Sequence, residues 1–275
     1  KTMLATYNGL GMYPIADIVV NHRGGTTGWT DFTEPTWGCE TIAYNDDGGY
    51  LQTATYTGCK PTGANDTGED FSGARDLDHT NATVQSGVKE YLALLKTLGF
   101  KGWRWDVAKG FSATYFGEYN KASTPYYSVG EYWDGNAATL EWWCDNANSS
   151  AFDFACYYKM NDAFDGNNLA LLNDDMMWKR NPYKAVTFVT NHDTDEIYNK
   201  YLAYAYILTH EGYPTIFYRD YEEWLNKERL NNLIWIHNNK ATGTTSILYS
   251  DNDEYVARRN GYNGNPGLVV YINNS

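Results

Sequence analysis

The chain has 275 residues, which suits one large α/β domain or two smaller ones. Its hydrophobic fraction of 43% against 20% charged residues excludes a disordered chain, and no apolar run approaches the ~20 residues of a membrane span. Lys and Arg total 21 against 34 Asp and Glu, a formal net charge of −13 that argues against partners bound through phosphate fields, nucleic acid and anionic membrane included.

The first strand expected is Ile15 to Val20, a nearly continuous apolar run ending at Asn21-His22, as a strand buried on both faces requires. From Gly24 to about Arg75 the periodicity dissolves into Gly, Thr, Asn and Asp, too long a stretch for an ordinary connection, so an insertion with its own role is expected. It contains Cys39 and Cys59, whose pairing spacing alone leaves open; with Cys144 and Cys156 they form no CxxC pair and offer no zinc pattern. Helical spacing returns with Val84, Val88, Tyr91, Leu92, Leu95 and Leu98, capped by Asn81 and stopped by Gly99. Strands follow at Gly102 to Val107, Tyr127 to Tyr132, Ala151 to Phe154, Ala185 to Val189 and Thr215 to Tyr218, with helices between them. One of these helices carries Ile197, Tyr201, Tyr204, Ile207 and Leu208 and ends at Gly212-Tyr-Pro214. Beyond Thr242 the pattern changes to short strands, Ser246 to Tyr249, Tyr255 to Arg258 and Leu268 to Ile272, the start of an antiparallel β domain. Alternating strands and helices imply a parallel sheet, either a barrel or a doubly wound fold.

Four polar clusters end these strands, where parallel α/β folds place their active sites. They are Asp17-Ile-Val-Val-Asn21-His22, Gly102-Trp-Arg104-Trp-Asp106-Val-Ala-Lys109-Gly110, Gly130-Glu131-Tyr132-Trp133 and Phe188-Val-Thr-Asn191-His192-Asp193. A single Asp at a strand end is more often a helix cap. Four clusters supplying carboxylates, an Arg, a Lys and two His on successive strands point to catalysis.

In this order, the clusters resemble the conserved regions of the α-amylase family of glycoside hydrolases, nearest to the archaeal and plant calcium-dependent branch. The likeness extends through Tyr206 to Asp220 and into Tyr221-Glu-Glu-Trp-Leu. It implies a TIM-type (β/α)8 barrel lacking strands 1 and 2, with residues 1–23 and 77–241 forming the barrel, 24–76 a calcium-binding insertion and 242–275 the start of a C-terminal β domain. The resemblance makes Asp106 the nucleophile, Glu131 the general acid/base and Asp193 the stabilising third carboxylate of a retaining mechanism. Neighbouring carboxylates should keep Glu131 protonated, while Arg104, two residues before Asp106 on the same strand face, should hold the nucleophile's negative charge. By the same likeness His22, His192, Lys109 and Trp133 join Arg104 in binding sugar. The segment Asn65 to Asp76 resembles the calcium segment of plant relatives, which implies Ca²⁺ held by Asp66 and Asp76 side chains, Asn21, and the backbone carbonyls of Glu69 and Gly110.

A secreted monomer acting on starch or maltooligosaccharides is the expectation, hydrolysing internal α-1,4 bonds. The 10 Trp, 25 Tyr and 10 Phe fit such a substrate, since rings that pack a core can also line a cleft for glucose. The same carboxylates serve transglycosylases and maltooligosaccharide-processing relatives, and a glucan-binding protein without catalysis is the rival from another class. Lys1 stands where the resemblance places the helix before a third strand, and no apolar leader precedes it, so the chain is expected to be mature, trimmed or incomplete.

Overall fold

The computed structural model describes residues 2–26, 30–45, 59–65, 68–69, 71, 73–195 and 197–274. The chain divides into two compact units, Lys1–Trp133 with Trp143–Ser149, and Asp134–Trp142 with Ser150–Ser275.

In the first unit, α1 (Thr2–Gly9) leads to β1 (Ile15–Ile18), and the short strands β2 (His22–Arg23) and β3 (Arg75–Asp76) pair antiparallel at the base of the insertion. Within that insertion Cys39 and Cys59 form a disulfide. Helix α2 (Ala82–Leu98) begins and ends where its cap residues dictate. The Asn81 side chain accepts the Thr83 N–H, and Gly99 takes the left-handed conformation at φ 115° that lets its N–H reach the last carbonyls. Its buried stripe is Val84, Val88, Leu92 and Leu95. Then come β4 (Gly102–Trp105), α3 (Ala113–Ser123) and β5 (Tyr127–Gly130). Strands β1, β4 and β5 lie parallel in that order, with Asp17 opposite Arg104 and Arg104 opposite Val129.

Trp103 and Trp105 point to the opposite face of β4 from Arg104, because side chains alternate along a strand. Both indoles are fully buried, and each N–H donates to a serine hydroxyl, Trp103 to Ser123 and Trp105 to Ser128, at 2.9 Å. Gly130 ends β5 because nothing larger fits: a Cβ there would overlap the buried Trp143 ring, which lies in α4 (Ala137–Ala147).

The second unit repeats the strand and helix alternation. It holds β6 (Ser150–Phe152), α5 (Phe154–Asp165), α6 (Met177–Arg180), β7 (Ala185–Thr187), α7 (Lys200–Thr209), β8 (Tyr213–Pro214) and α8 (Lys227–Lys240). Strands β6, β7 and β8 are parallel, while β9 (Thr245–Ser250), β10 (Glu254–Arg259) and β11 (Leu268–Asn273) form an antiparallel sheet.

Strands β1, β4, β5 and β7 each end two residues before their expected ends, and three other boundaries move for a local reason. Strand β6 stops at Phe152 because Asp153 caps α5, its carboxylate accepting the Cys156 N–H at 2.9 Å. Burial raises the Asp153 carboxyl to about 6, opposed by the peptide N–H groups of Cys156, Trp178 and Met177 that it accepts. Helix α7 starts at Lys200 and not near Ile197, since the Asp165 carboxylate binds the N–H groups of Tyr198 and Asn199 outside the helix. Strand β8 falls on Tyr213–Pro214, two residues ahead of the expected Thr215, whose own N–H still reaches the Thr187 carbonyl at 2.8 Å. Among the described residues no helix is long and apolar enough to cross a membrane.

Candidate active site

Alternation and register bring four charged groups of the first unit to one face. Arg104 faces away from the buried tryptophans; Asp106 follows it by two residues, and Glu131 follows Val129, the register partner of Arg104, by two. Asp17 is the register partner on the other side. The peptide N–H of Asp106 donates to the Ile18 carbonyl at 3.1 Å and that of Glu131 to the Trp105 carbonyl at 2.9 Å, so the ladder continues through both residues.

The guanidinium of Arg104 grips all three carboxylates. Its Nη1 lies 2.5 Å from Asp106 Oδ1 and 2.8 Å from Asp17 Oδ1, and its Nη2 pairs with Glu131 Oε1. Exposure grades across the set, with Glu131 at 4%, Arg104 at 13%, Asp106 at 22% and Asp17 at 58%. Burial alone would lower the Arg104 pKa, but the Glu131 charge, then Asp17 and Asp106, outweigh it and raise the value. Besides Asp106, Arg104 reaches Glu131 through its second terminal nitrogen, a contact that the register sets and that alternation along one strand does not reveal. Immediately after Asp106 the backbone is strained, with Val107 at φ 45°, a left-handed conformation that a β-branched residue rarely adopts.

His22 stacks on Phe71 with ring centroids 3.9 Å apart. Burial holds this imidazole below its ordinary range, against the pull of the Asp106 charge, so it is neutral near pH 7. Lys109 lies 3.5 Å from the Glu69 carboxylate and over the Tyr132 ring at 5.3 Å, while Trp133 is half-buried. In the second unit, His192 Nε2 lies 3.0 Å from Asp193 Oδ2, and both side chains are exposed. The Asp193 N–H donates to the Asn191 side chain at 2.8 Å, which fixes the turn that presents them.

Of the expected calcium ligands, Asn21, Asp76 and Gly110 lie together around an orphaned oxygen. Asn21 is buried; its amide donates to Asp76 Oδ1 at 3.0 Å, yet its Oδ1 has no hydrogen-bond partner. That oxygen faces Gly110, where a Cβ would collide with it, and a Cβ at Gly68 would in turn collide with the Gly110 carbonyl. The Glu69 N–H donates to the Lys109 carbonyl at 3.1 Å, which ties the insertion to the same loop. A buried unpaired amide oxygen beside a buried carboxylate, with the Gly110 carbonyl packed closely nearby, fits a hard cation bound through oxygen. Asp66, the other expected side-chain ligand, falls outside the described residues. Among the described residues no group of three or more His, Cys, Asp or Glu could hold a metal ion, and in the expected set Asp76 is the one described acidic side chain expected to ligate, since Glu69 enters through its carbonyl.

The chain is 30% identical over 294 residues to the protein named probable alpha-amylase 2 of Arabidopsis thaliana, across 94% of the chain and 69% of that protein. It belongs to the α-amylase family of glycoside hydrolases. No protein-family model matches the chain. Among solved structures, an α-amylase from Malbranchea cinnamomea aligns with a TM-score of 0.73 at 20% identity, over 94% of this chain and 63% of that one. A cyclomaltodextrin glucanotransferase aligns equally well, at 0.73 and 19% identity over 98% of this chain and 65% of that one. Both likenesses concern the fold, a partial (β/α) barrel carrying a C-terminal antiparallel sheet. The chain spans about two thirds of the length of these α-amylase family relatives.

Sequence reasoning overlooked two neighbours of the site. Asp17 lay in a motif without a role, and its position opposite Arg104 became visible only with the register. Phe71 gave no local signal, although Gly73 makes room for its ring: a Cβ at Gly73 would crowd it.

Proposed function

We propose that the protein hydrolyses internal α-1,4 bonds of starch and related glucans with retention of configuration. One observation carries this reading. A single guanidinium grips both Asp106 and Glu131, one on each terminal nitrogen, which supports reading the two carboxyl groups as a catalytic pair. Retaining glycosidases need ~5–5.5 Å between the pair, whereas inverting enzymes open it to ~6.5–9.5 Å to admit a water.

In the first step Glu131 gives a proton to the glycosidic oxygen while an Asp106 oxygen attacks the anomeric carbon, forming a glycosyl ester and releasing the leaving sugar. In the second, the Glu131 carboxylate takes a proton from water, whose oxygen attacks the same carbon and frees Asp106. Asp193 supplies negative charge for the oxocarbenium-like transition state. His22 and His192, Lys109 and Trp133 bind the glucosyl units, and the neutral His22 can both donate and accept a hydrogen bond. We assign residues 1–23 and 77–241 to the catalytic barrel, 24–76 to the insertion and 242–275 to the β domain, in a secreted monomer.

The test is product analysis on starch. Endo-hydrolysis makes iodine staining fall well before most reducing ends appear. Cyclic or lengthened products would favour the transglycosylase reading, which the likeness to a glucanotransferase fold keeps in view.

Asn21, Asp76, Gly110, Glu69 and Asp66 are proposed to hold a structural Ca²⁺ that fastens the insertion to the loop after β4. Bound calcium would supply stability and no reaction step. At calcium about a hundredfold above its Kd the stabilisation is about 2.7 kcal/mol, so a chelator should lower the melting temperature by about 5–10 °C. Calcium should restore it, and Asp76→Asn should abolish the response; a melting temperature indifferent to chelator and calcium would contradict the site.

A further inference from the structure

Asp17 is the one acidic residue of the four strand-end clusters that the proposed mechanism leaves unused, yet it sits on the same guanidinium nitrogen as Asp106. One cation facing three carboxylates leaves a net charge of about −2 when all are ionised, and such a cluster favours taking up a proton. With only two carboxylates, Arg104 would neutralise half the charge and hold Glu131 as the anion, the wrong form for a general acid. The third carboxylate changes that balance. Because Nη1 is shared between Asp17 and Asp106, the positive charge available to Glu131 at Nη2 is diluted by an anion to which the proposed mechanism gives no step.

We propose that Asp17 is a positioning residue that divides the Arg104 charge three ways and so keeps Glu131 able to carry the catalytic proton. The inference rests on the roles proposed above for Asp106 and Glu131. Asp17 is suited to this task because β1 fixes it opposite Arg104 while leaving it half in solvent. Its negative field acts on other neighbours too: the Tyr91 hydroxyl of α2 is raised first by burial and then by the Asp17 charge. Among the described residues of this unit, the groups shown acting on this cluster include Asp17 on β1, Asp106 after β4 and Glu131 after β5, with His22 near Asp106 and Tyr91 near Asp17.

The direction of the effect follows from charge. Removing the Asp17 anion stabilises the Glu131 anion, both directly and by releasing Arg104, so Glu131 should lose its proton at lower pH. For a partly exposed charge a few ångströms away, the shift is about 0.5–1 pH unit.

The experiment uses Asp17→Asn and Asp17→Glu with two readouts, the carbon-13 titration of the Glu131 carboxyl, assigned with Glu131→Gln, and the pH profile of kcat/KM on a maltooligosaccharide. In Asp17→Asn the Glu131 midpoint and the alkaline limb should both move down by that amount with KM little changed, and Asp17→Glu should restore both. A uniform loss of activity with an unmoved midpoint would mean that Asp17 merely supports the fold, and would overturn the proposal. A midpoint that moves in a protein without glucan hydrolysis would uphold the charge division and refute the functional reading, so the two failures are distinct.

Discussion

Asp106→Asn is expected to lower kcat on a maltooligosaccharide by about 10⁴-fold or more, a loss of about 5 kcal/mol of transition-state stabilisation, with KM changed only a few-fold. The substitution preserves shape but removes the negative charge and the nucleophilic oxygen pair. An amide cannot form the glycosyl ester, so the double displacement loses its first covalent step. Substrate binding relies on side chains that the substitution leaves in place, which is why the loss should fall on kcat. One secondary effect has a definite direction. Without the Asp106 anion, Arg104 turns more of its charge to Glu131, to which it already pairs through Nη2, and the remaining acid becomes harder to protonate. Added azide, a small external nucleophile, should therefore recover part of the rate in Asp106→Asn and none in Glu131→Gln when the leaving group is a poor one. Starch hydrolysis at the original rate in Asp106→Asn would refute the nucleophile assignment.

A second large effect is expected in acid. His79 is fully buried between the site and the core: its Nε2 lies 2.9 Å from the Val20 carbonyl, its Nδ1 lies 2.7 Å from the Tyr119 hydroxyl, and its ring stacks on Phe111 at 3.6 Å. The neutral ring satisfies both contacts, with Nε2–H donating to Val20 and Nδ1 accepting from Tyr119. Burial lowers its pKa from 6.5 to about 3, opposed by the Val20 hydrogen bond and the Asp78 charge. A base with a depressed folded value contributes stability that is fully present above the unfolded pKa of about 6.5 and is lost as pH falls toward the folded one. Between pH 7.5 and pH 4 this amounts to about 3 kcal/mol of the first unit's stability. Urea unfolding of the wild type and of His79→Gln at both pH values should show the gap between them shrinking by that amount. A gap that stays constant with pH would contradict the assignment. The consequence reaches function, because Val20 directly precedes Asn21 and His22, and a protonated His79 loosens the backbone that presents them.

The sequence was most informative where local rules decide the structure. Asn81 and Gly99 specify the ends of α2 to the residue, since capping acts within one element, while of the six stripe residues Tyr91 is exposed and Leu98 half-buried. Six parallel strands were placed from apolar runs and polar ends, and errors arose where a neighbouring side chain competes for the backbone. Asp153 ends β6 by capping α5, and Asp165 holds two N–H groups out of α7. The site was legible as a list of residues and only partly as an arrangement. Arg104 and Asp106 share a face by simple alternation, but the reach of Arg104 to Glu131 and Asp17 depends on how β1, β4 and β5 are aligned, which no single strand encodes. Likewise, the spacing of Cys39 and Cys59 allowed a bond without requiring it, and the bond is present. His79 carried no sequence signal because its burial comes from Phe111 and Tyr119, residues far along the chain.

The roles proposed for Asp106 and Glu131, both held by Arg104, have a stereochemical consequence, and proton NMR of the earliest product reads it directly. Hydrolysis of an α-linked maltooligosaccharide by double displacement releases a new reducing end as the α anomer, which mutarotates only afterwards. Early α-anomer signal that decays to the equilibrium mixture is the expected result. A β anomer at the earliest times would show single displacement by water and would contradict the assignment of Asp106 as a nucleophile.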